Sequence, residues 1–279
     1  MMRSLWTSAT GMNAQQMNVD VLANNLANVN TNGFKRERLE FSSLLYDTMR
    51  RADLDAANPA GRPVNLQVGS GVRPIATSRV FSPGPINRTE NPLDLAIDGS
   101  AFFAVRVSPL GADPEIIGYT RDGIMRLSPI GADLALVNNA GLPVLSSDGE
   151  PITFPAADGL TSEDVVIQDN GAIFILNDDG EFEDTDILLG LFQFANTQGL
   201  EGIGGNLFLA TPASGEAVSE DEGPVLRTST IMQGVLEMSN VSVADEMVTL
   251  IVAQRGFELN SRSIQASDQM LQEANNLRR

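Results

Sequence analysis

The chain reads as an α+β protein, with a central antiparallel β region between two long terminal helices. Three observations carry this. Apolar residues recur every seven positions near both ends of the 279-residue chain. Between the ends the pattern shifts to short apolar or alternating runs punctuated by Gly-containing turns. The charge follows the same division. Net charge is −18, and residues 53–226 hold twenty-six Asp and Glu against seven Lys and Arg, while the two ends are near neutral.

The first helix is written by Leu5, Met12, Val19 and Leu26, seven apart, with Ala9, Leu22 and Val29 widening the stripe. Ser4 is the candidate N-cap, and Asn30-Thr31-Asn32-Gly33 the stop, with Gly suited to a left-handed position. Such a helix of about 25 residues would be about 37 Å long. Its polar side is unusual. From Arg3 to Phe34 only Arg3 and Asp20 are charged, where an average sequence would carry about eight charges. Ser8, Asn13, Gln15, Gln16, Asn18, Asn24 and Asn25 stand there instead. An uncharged amide face suits burial against other helices, and one chain offers one partner helix, so further subunits are implied.

Residues 47–90 read as an extended connector, with few periodic apolars and the run Asn58-Pro59-Ala60-Gly61-Arg62-Pro63. Strands are expected at 78–81, 93–97, 101–107, 142–145, 152–154, 165–168, 172–176 and 188–194, with turns at Asp98-Gly99, Asp148-Gly149, Asn170-Gly171 and Asp179-Gly180. The central domain is expected over 91–226, and residues 75–226, about 150 residues, are expected to suffice for a core that folds on its own. The last helix, within 227–279, is written by Val243, Leu250, Phe257, Ile264 and Leu271, again seven apart. Ser242 and Asp245 form an S-x-x-D start, and Glu258 and Arg262 an i,i+4 pair. Matching seven-residue rhythms at both ends point to a coiled-coil-like pairing of the termini. On spacing alone, two ordinary amphipathic helices lying on a globular core are the simpler reading.

Composition excludes much chemistry. The chain has no Cys and no His, which removes Cys nucleophiles, Cys/His zinc sites and His-based triads. Asn177-Asp178-Asp179-Gly180-Glu181 has Ile175 where a calcium loop needs an acid, so a hairpin tip is expected there. Gly202-Ile203-Gly204-Gly205 lacks the glycine spacing and strand–helix frame of a dinucleotide site. No pair of carboxylates is marked out for glycosidic chemistry. The acidic balance argues against nucleic acid. No stretch is long and apolar enough to span a membrane, and the N-terminus lacks the apolar core of a secretory signal. These rules alone predict a cytoplasmic protein. The Asn24, Asn25, Asn28, Asn30 and Asn32 cluster fits capping and turn chemistry, and equally fits hydrogen bonding between subunits.

Several of these motifs also occur together elsewhere. Gly11-Met12-Asn13-Ala14-Gln15-Gln16 followed by Asn24-Asn25-Leu26-Ala27-Asn28-Val29-Asn30-Thr31-Asn32-Gly33-Phe34-Lys35 resembles the N-terminal signature of the flagellar rod and hook proteins. Asn91-Pro92-Leu93-Asp94-Leu95-Ala96-Ile97-Asp98-Gly99 and Tyr119-Thr120-Arg121-Asp122-Gly123 resemble that family's central motifs. Leu236-Glu237-Met238-Ser239-Asn240-Val241, Glu246-Met247-Val248, Ala253-Gln254-Arg255 and Ser267-Asp268-Gln269-Met270-Leu271 resemble its C-terminal ones. Chain length and Leu66-Gln67-Val68-Gly69-Ser70-Gly71-Val72-Arg73-Pro74 are most similar to the distal rod branch, with proximal rod and hook subunits as the alternatives within the family. An exported acidic binding module is the alternative outside it. Two departures are Ala101, where the family often has Gly, and Gly256-Phe257, where it often has Ala-Tyr.

The resemblance implies a non-enzymatic subunit without cofactor, self-assembling into a tubular drive shaft that crosses the periplasm and encloses an export channel. It implies export through the flagellar apparatus without a cleaved signal, which overrides the cytoplasmic reading. Its implied partners are further copies of itself, proximal rod proteins, the hook protein and the surrounding ring proteins, with no nucleic acid and no membrane insertion. The residues expected to pack the inner tube are Leu5, Met12, Val19, Leu26, Asn24, Asn25, Asn28, Val243, Leu250, Phe257, Ile264 and Leu271.

Overall fold

A computed structural model describes residues 2–51, 64–108, 116–131, 133–155, 160–176, 182–221 and 228–277. The chain divides into two compact units. Unit one takes residues 1–27, 37–79 and 242–279, and unit two takes 28–36 and 80–241.

Unit one holds helices α1 (Met2–Ala27) and α2 (Val243–Asn276) and strands β1 (Glu37–Ser43), β2 (Tyr46–Arg50), β3 (Leu66–Gly69) and β4 (Val72–Arg79). β1 pairs antiparallel with β4, from Glu37 opposite Arg79 to Ser43 opposite Val72. The register slips between Glu40 and Phe41, where Pro74 stands opposite Phe41 and has no N–H to give. β2 pairs antiparallel with β3. Much of the described part of the stretch expected as a plain connector is therefore paired strand. Its Asn58–Pro63 run lies outside the described residues. Gly71 turns the chain from β3 into β4 with φ +115°, and a side chain there would overlap the Thr10 hydroxyl on α1.

Among the described residues, unit two is an antiparallel β assembly of sixteen further strands. These are β5 (Ile86–Arg88), β6 (Leu95–Asp98), β7 (Phe102–Arg106), β8 (Ile117–Thr120), β9 (Met125–Ile130), β10 (Asp133–Asn138), β11 (Thr153–Pro155) and β12 (Val165–Ile167). They continue with β13 (Ala172–Leu176), β14 (Phe182–Leu188), β15 (Leu191–Gln193), β16 (Glu201–Gly204), β17 (Leu207–Leu209), β18 (Val218–Ser219), β19 (Thr230–Gln233) and β20 (Val235–Glu237). The largest sheet runs β16-β17-β8-β7-β15-β18. β7 lies inside it and is buried on both faces, which explains its unbroken run Phe102-Phe103-Ala104-Val105. Phe103 and Val105 join a core with Leu95, Leu136, Ile152, Phe154, Ile173 and Ile231. Phe102 and Ala104 point the other way, into Tyr119, Phe194 and Phe208. There Phe81, Phe102, Phe194 and Phe208 meet edge to face, with ring centroids 5.4–6.1 Å apart.

Most expected strands appear within a few residues of their predicted limits. The 188–194 run is broken into the end of β14 and β15, and 142–145 is extended chain with isolated bridges. Gly202–Gly205 belongs to the β16–β17 hairpin, where Gly204, Gly205 and Asn206 all take positive φ. The predicted tip at 177–181 lies outside the described residues. The domain limits differ from the expectation of 91–226. Unit two also includes 28–36, starts its main segment at Val80 and runs to Val241, because β19 pairs with β6 and β20 with β5. The N-terminal helix α1 has 26 residues, close to the expected length of about 25, and ends at Ala27, just before the expected stop at Asn30–Gly33.

Candidate assembly surface

The two helices of unit one lie side by side and antiparallel. Ser4 Oγ sits 3.3 Å from Ser267 Oγ, Ser8 Oγ donates to Ser263 Oγ at 3.1 Å, and Asn25 Nδ2 donates to Glu246 Oε2 at 3.2 Å. Between these points Gly11 faces Asn260 and Gly256 faces Gln15. The seam is thus built from small and polar residues at helical spacing, which lets the backbones come close. Ala14, Leu22 and Ala253 are buried alongside. Ser4 lies inside α1 rather than capping it. Ser242 is the N-cap of α2 but makes no side-chain cap bond, so the expected S-x-x-D bond does not form, although Asp245 and Glu246 place acid in the first turn. Glu258 pairs with Arg255 at 2.8 Å rather than with the expected Arg262.

The predicted seven-spaced residues are not the seam. Leu5, Met12, Val19, Leu26, Leu250, Phe257, Ile264 and Leu271 are half-buried, and Val243 is exposed. In the 34 residues of α2 the buried positions are Glu246, Ala253 and Ser267. Outward, α2 shows Met247, Val248, Ile251, Val252 and Leu259, with Val252 and Leu259 each 65% exposed. Trp6 is 67% exposed on α1, the sheets of unit one expose Tyr46, Met49, Leu66 and Ile75, and Leu45 is exposed between β1 and β2. Met247 and Ile251 are apolar neighbours of the seven-spaced line in the sequence, whereas Val248, Val252 and Leu259 lie off it, because a seven-residue template selects one line along the helix. The signal that would have found the seam is Ser4, Ser8 and Gly11 against Gly256, Asn260, Ser263 and Ser267, small residues three and four apart on both helices.

The amides divide. Asn25 is fully buried and answers both backbone polar groups of one residue, with Nδ2 donating to Glu37 O at 2.8 Å and Glu37 N donating to Oδ1 at 2.9 Å. Asn28 takes a bond from Thr31 Oγ1 in the turn after α1. Asn24 is exposed. The Arg3–Asp47 ion pair edges a hollow of about 240 Å³ lined by Trp6, Thr7, Val68, Gly69 and Ser70.

In unit two the motif residues meet around a buried carboxylate. Gly33 takes φ +68° and donates its N–H to Glu237 O at 2.8 Å, and a side chain there would stand 2.7 Å from Asp122 N. Gly33 therefore has the predicted left-handed backbone, six residues beyond the end of α1. Glu237 Oε1 accepts from Lys35 Nζ at 2.6 Å and from Gly84 N at 2.8 Å, and Oε2 faces Arg121 at 3.4 Å. Asn240 ties Arg36 N to Val80 O. Burial lowers the pKa of both Lys35 and Arg121, and the Glu237 charge opposes each shift. Burial raises that of Asp122. Among the described residues no three acidic side chains converge as a metal site would require.

Residues 5–35 match the family model described as flagella basal body rod protein, and residues 232–277 match that of the flagellar basal body rod FlgEFG protein C-terminal region. The chain is 43% identical to the flagellar basal-body rod protein FlgG of Borreliella burgdorferi, over the whole of both chains. It is 41% identical to FlgG of Buchnera aphidicola from Acyrthosiphon pisum, over 99% of this chain and 100% of that one. It is 35% identical to FlgG of Bacillus subtilis over the full length of both. With both family models matched at the ends and relatives 35–43% identical along the whole chain, the chain belongs to the flagellar basal-body rod family, within its FlgG distal-rod branch, and is a structural subunit of the basal body.

Proposed function

We propose that this subunit polymerises through its terminal helices into the tubular shaft of the distal rod. One observation carries the reading. α2 is long, buries only Glu246, Ala253 and Ser267 within its own chain, and presents Met247, Val248, Ile251, Val252 and Leu259 outward. Such a helix gains most of its burial from neighbouring copies, at about 25 cal/mol per Å² of apolar surface removed from water. Head-to-tail contacts that do not close into a ring extend into a helical filament. In that filament Leu5, Met12, Val19, Leu26, Leu250, Phe257, Ile264 and Leu271 complete a coiled-coil-like packing, each helix meeting helices of other subunits as well as its own partner.

The shaft carries torque from motor to hook across the periplasm and leaves a central export channel. Proximal rod proteins and hook protein bound it at its ends. The acidic β unit meets the surrounding ring proteins, where a charged, hydrated surface favours rotation over adhesion. This role needs no catalytic group. Subunits reach the growing end through the flagellar export apparatus.

Val252→Asp tests the reading. The site is 65% exposed, so a carboxylate there leaves the subunit folded and soluble. Buried among packed helices in the polymer, an unpaired charge is strongly unfavourable. The purified variant should fail to sediment as filaments, and cells carrying it should show unfinished rods by electron microscopy. Normal rods and swimming with Val252→Asp would overturn the proposal.

A further inference from the structure

Unit two is completed by the end of its own sequence. β19 pairs with β6 from Thr230 opposite Asp98 to Gln233 opposite Leu95, and places Ile231 in the core. β20 pairs with β5 and ends at Glu237. That residue's carboxylate then bonds Lys35, Gly84 N and Arg121 at once. The side chains of Lys35, Arg121 and Glu237 are 0%, 1% and 3% exposed. Arg121 also donates to Gly99 O and lies 5.3 Å over the Phe102 ring, while Lys35 donates to Ser82 O at 2.9 Å.

The charge count matters more than any one bond. Two cations and one carboxylate are withdrawn from water together, with the exposed Asp98 as a further negative charge acting on Arg121 from the surface. Both cations stand earlier in the chain than the carboxylate that answers them. Burying either without Glu237 is strongly unfavourable, because a buried ion without its counter-charge loses its hydration for nothing.

We propose that Glu237 is the closing latch of the β unit. The unit reaches its native state only when the segment around 230–241 docks. A chain presented from its N-terminus therefore stays non-native until almost all of it is available. This inference concerns when the unit folds, and it stands independently of the rod reading.

The test refolds the full chain from denaturant and follows it by pulsed hydrogen exchange. The amides of β6 and β7 should gain protection in the same kinetic phase as those of β19 and β20. Glu237→Gln should raise the unfolded population of the unit more than about 100-fold, by stranding two cations. Lys35→Met should raise it less than about tenfold, because it leaves a balanced Arg121–Glu237 pair and loses only bonds at Lys35. If Glu237→Gln does not fold at all, the order of phases in the unmodified chain and the size of the Lys35→Met effect still decide. Protection of β6 and β7 in an earlier phase overturns the latch. So does a Lys35→Met loss as large as that of Glu237→Gln.

Discussion

Asn25 does at one position what a strand edge does along a row. Its carboxamide satisfies the N–H and the C=O of Glu37, and its remaining bond reaches Glu246 on α2. The side chain thereby joins the end of α1, the start of β1 and the first turn of α2. Its identity as a buried junction was only partly legible. The sequence shows an amide cluster and an uncharged helix face, but five asparagines crowd between positions 24 and 32. Only the fold separates buried Asn25 from exposed Asn24. Asn25→Ala should remove about 2–4 kcal/mol from unit one, since two backbone groups lose their partner. Chemical denaturation followed by circular dichroism at helical wavelengths measures this, and an unchanged midpoint would refute the junction role.

At the scale of elements, the helices were legible and their faces were not. Hydrophobic rhythm located α1 and α2, because a seven-residue repeat is close to two helical turns. Rhythm does not say which line of a helix faces its partner. Here close approach favours serine and glycine, so the apolar stripe lies beside the seam and remains half-buried. The strands were legible for a related reason. Alternation and turn glycines are local, whereas the pairing of β6 with β19, more than a hundred residues apart, is not. A fragment cut at the limits expected from local pattern, 91–226, lacks β5, β19, β20, Lys35 and Glu237. It should show no cooperative thermal transition by calorimetry. A sharp transition in that fragment would mean the β unit closes without its final strands.

For the whole molecule, charge governs how copies approach. Each subunit carries a net charge of −18, most of it between residues 53 and 226. The near-neutral ends suit packing, since apolar contact between them is not opposed by local charge. Bringing many acidic subunits together is opposed at long range, and the opposition weakens as the screening length shrinks from about 30 Å at 0.01 M salt to about 10 Å at 0.1 M. The critical concentration for filament formation should therefore fall as salt rises over that range. Sedimentation at increasing ionic strength checks this. A critical concentration that rises with salt would mean that attraction between opposite charges, rather than apolar packing, drives assembly.

The sequence by itself determined the α+β class, the two terminal helices, most strands and the family. Each rests on information carried within a short window: period, turn chemistry and ordered motifs. Tertiary structure alone decided the rest. It placed Lys35, Arg121 and Glu237 on one another although 86 and 116 residues separate them along the chain. It put a largely polar seam between the helices and left Met247, Val248, Ile251, Val252 and Leu259 of α2 facing outward. The physical reason is that burial and ion pairing depend on which distant segments meet, and no local pattern records that choice.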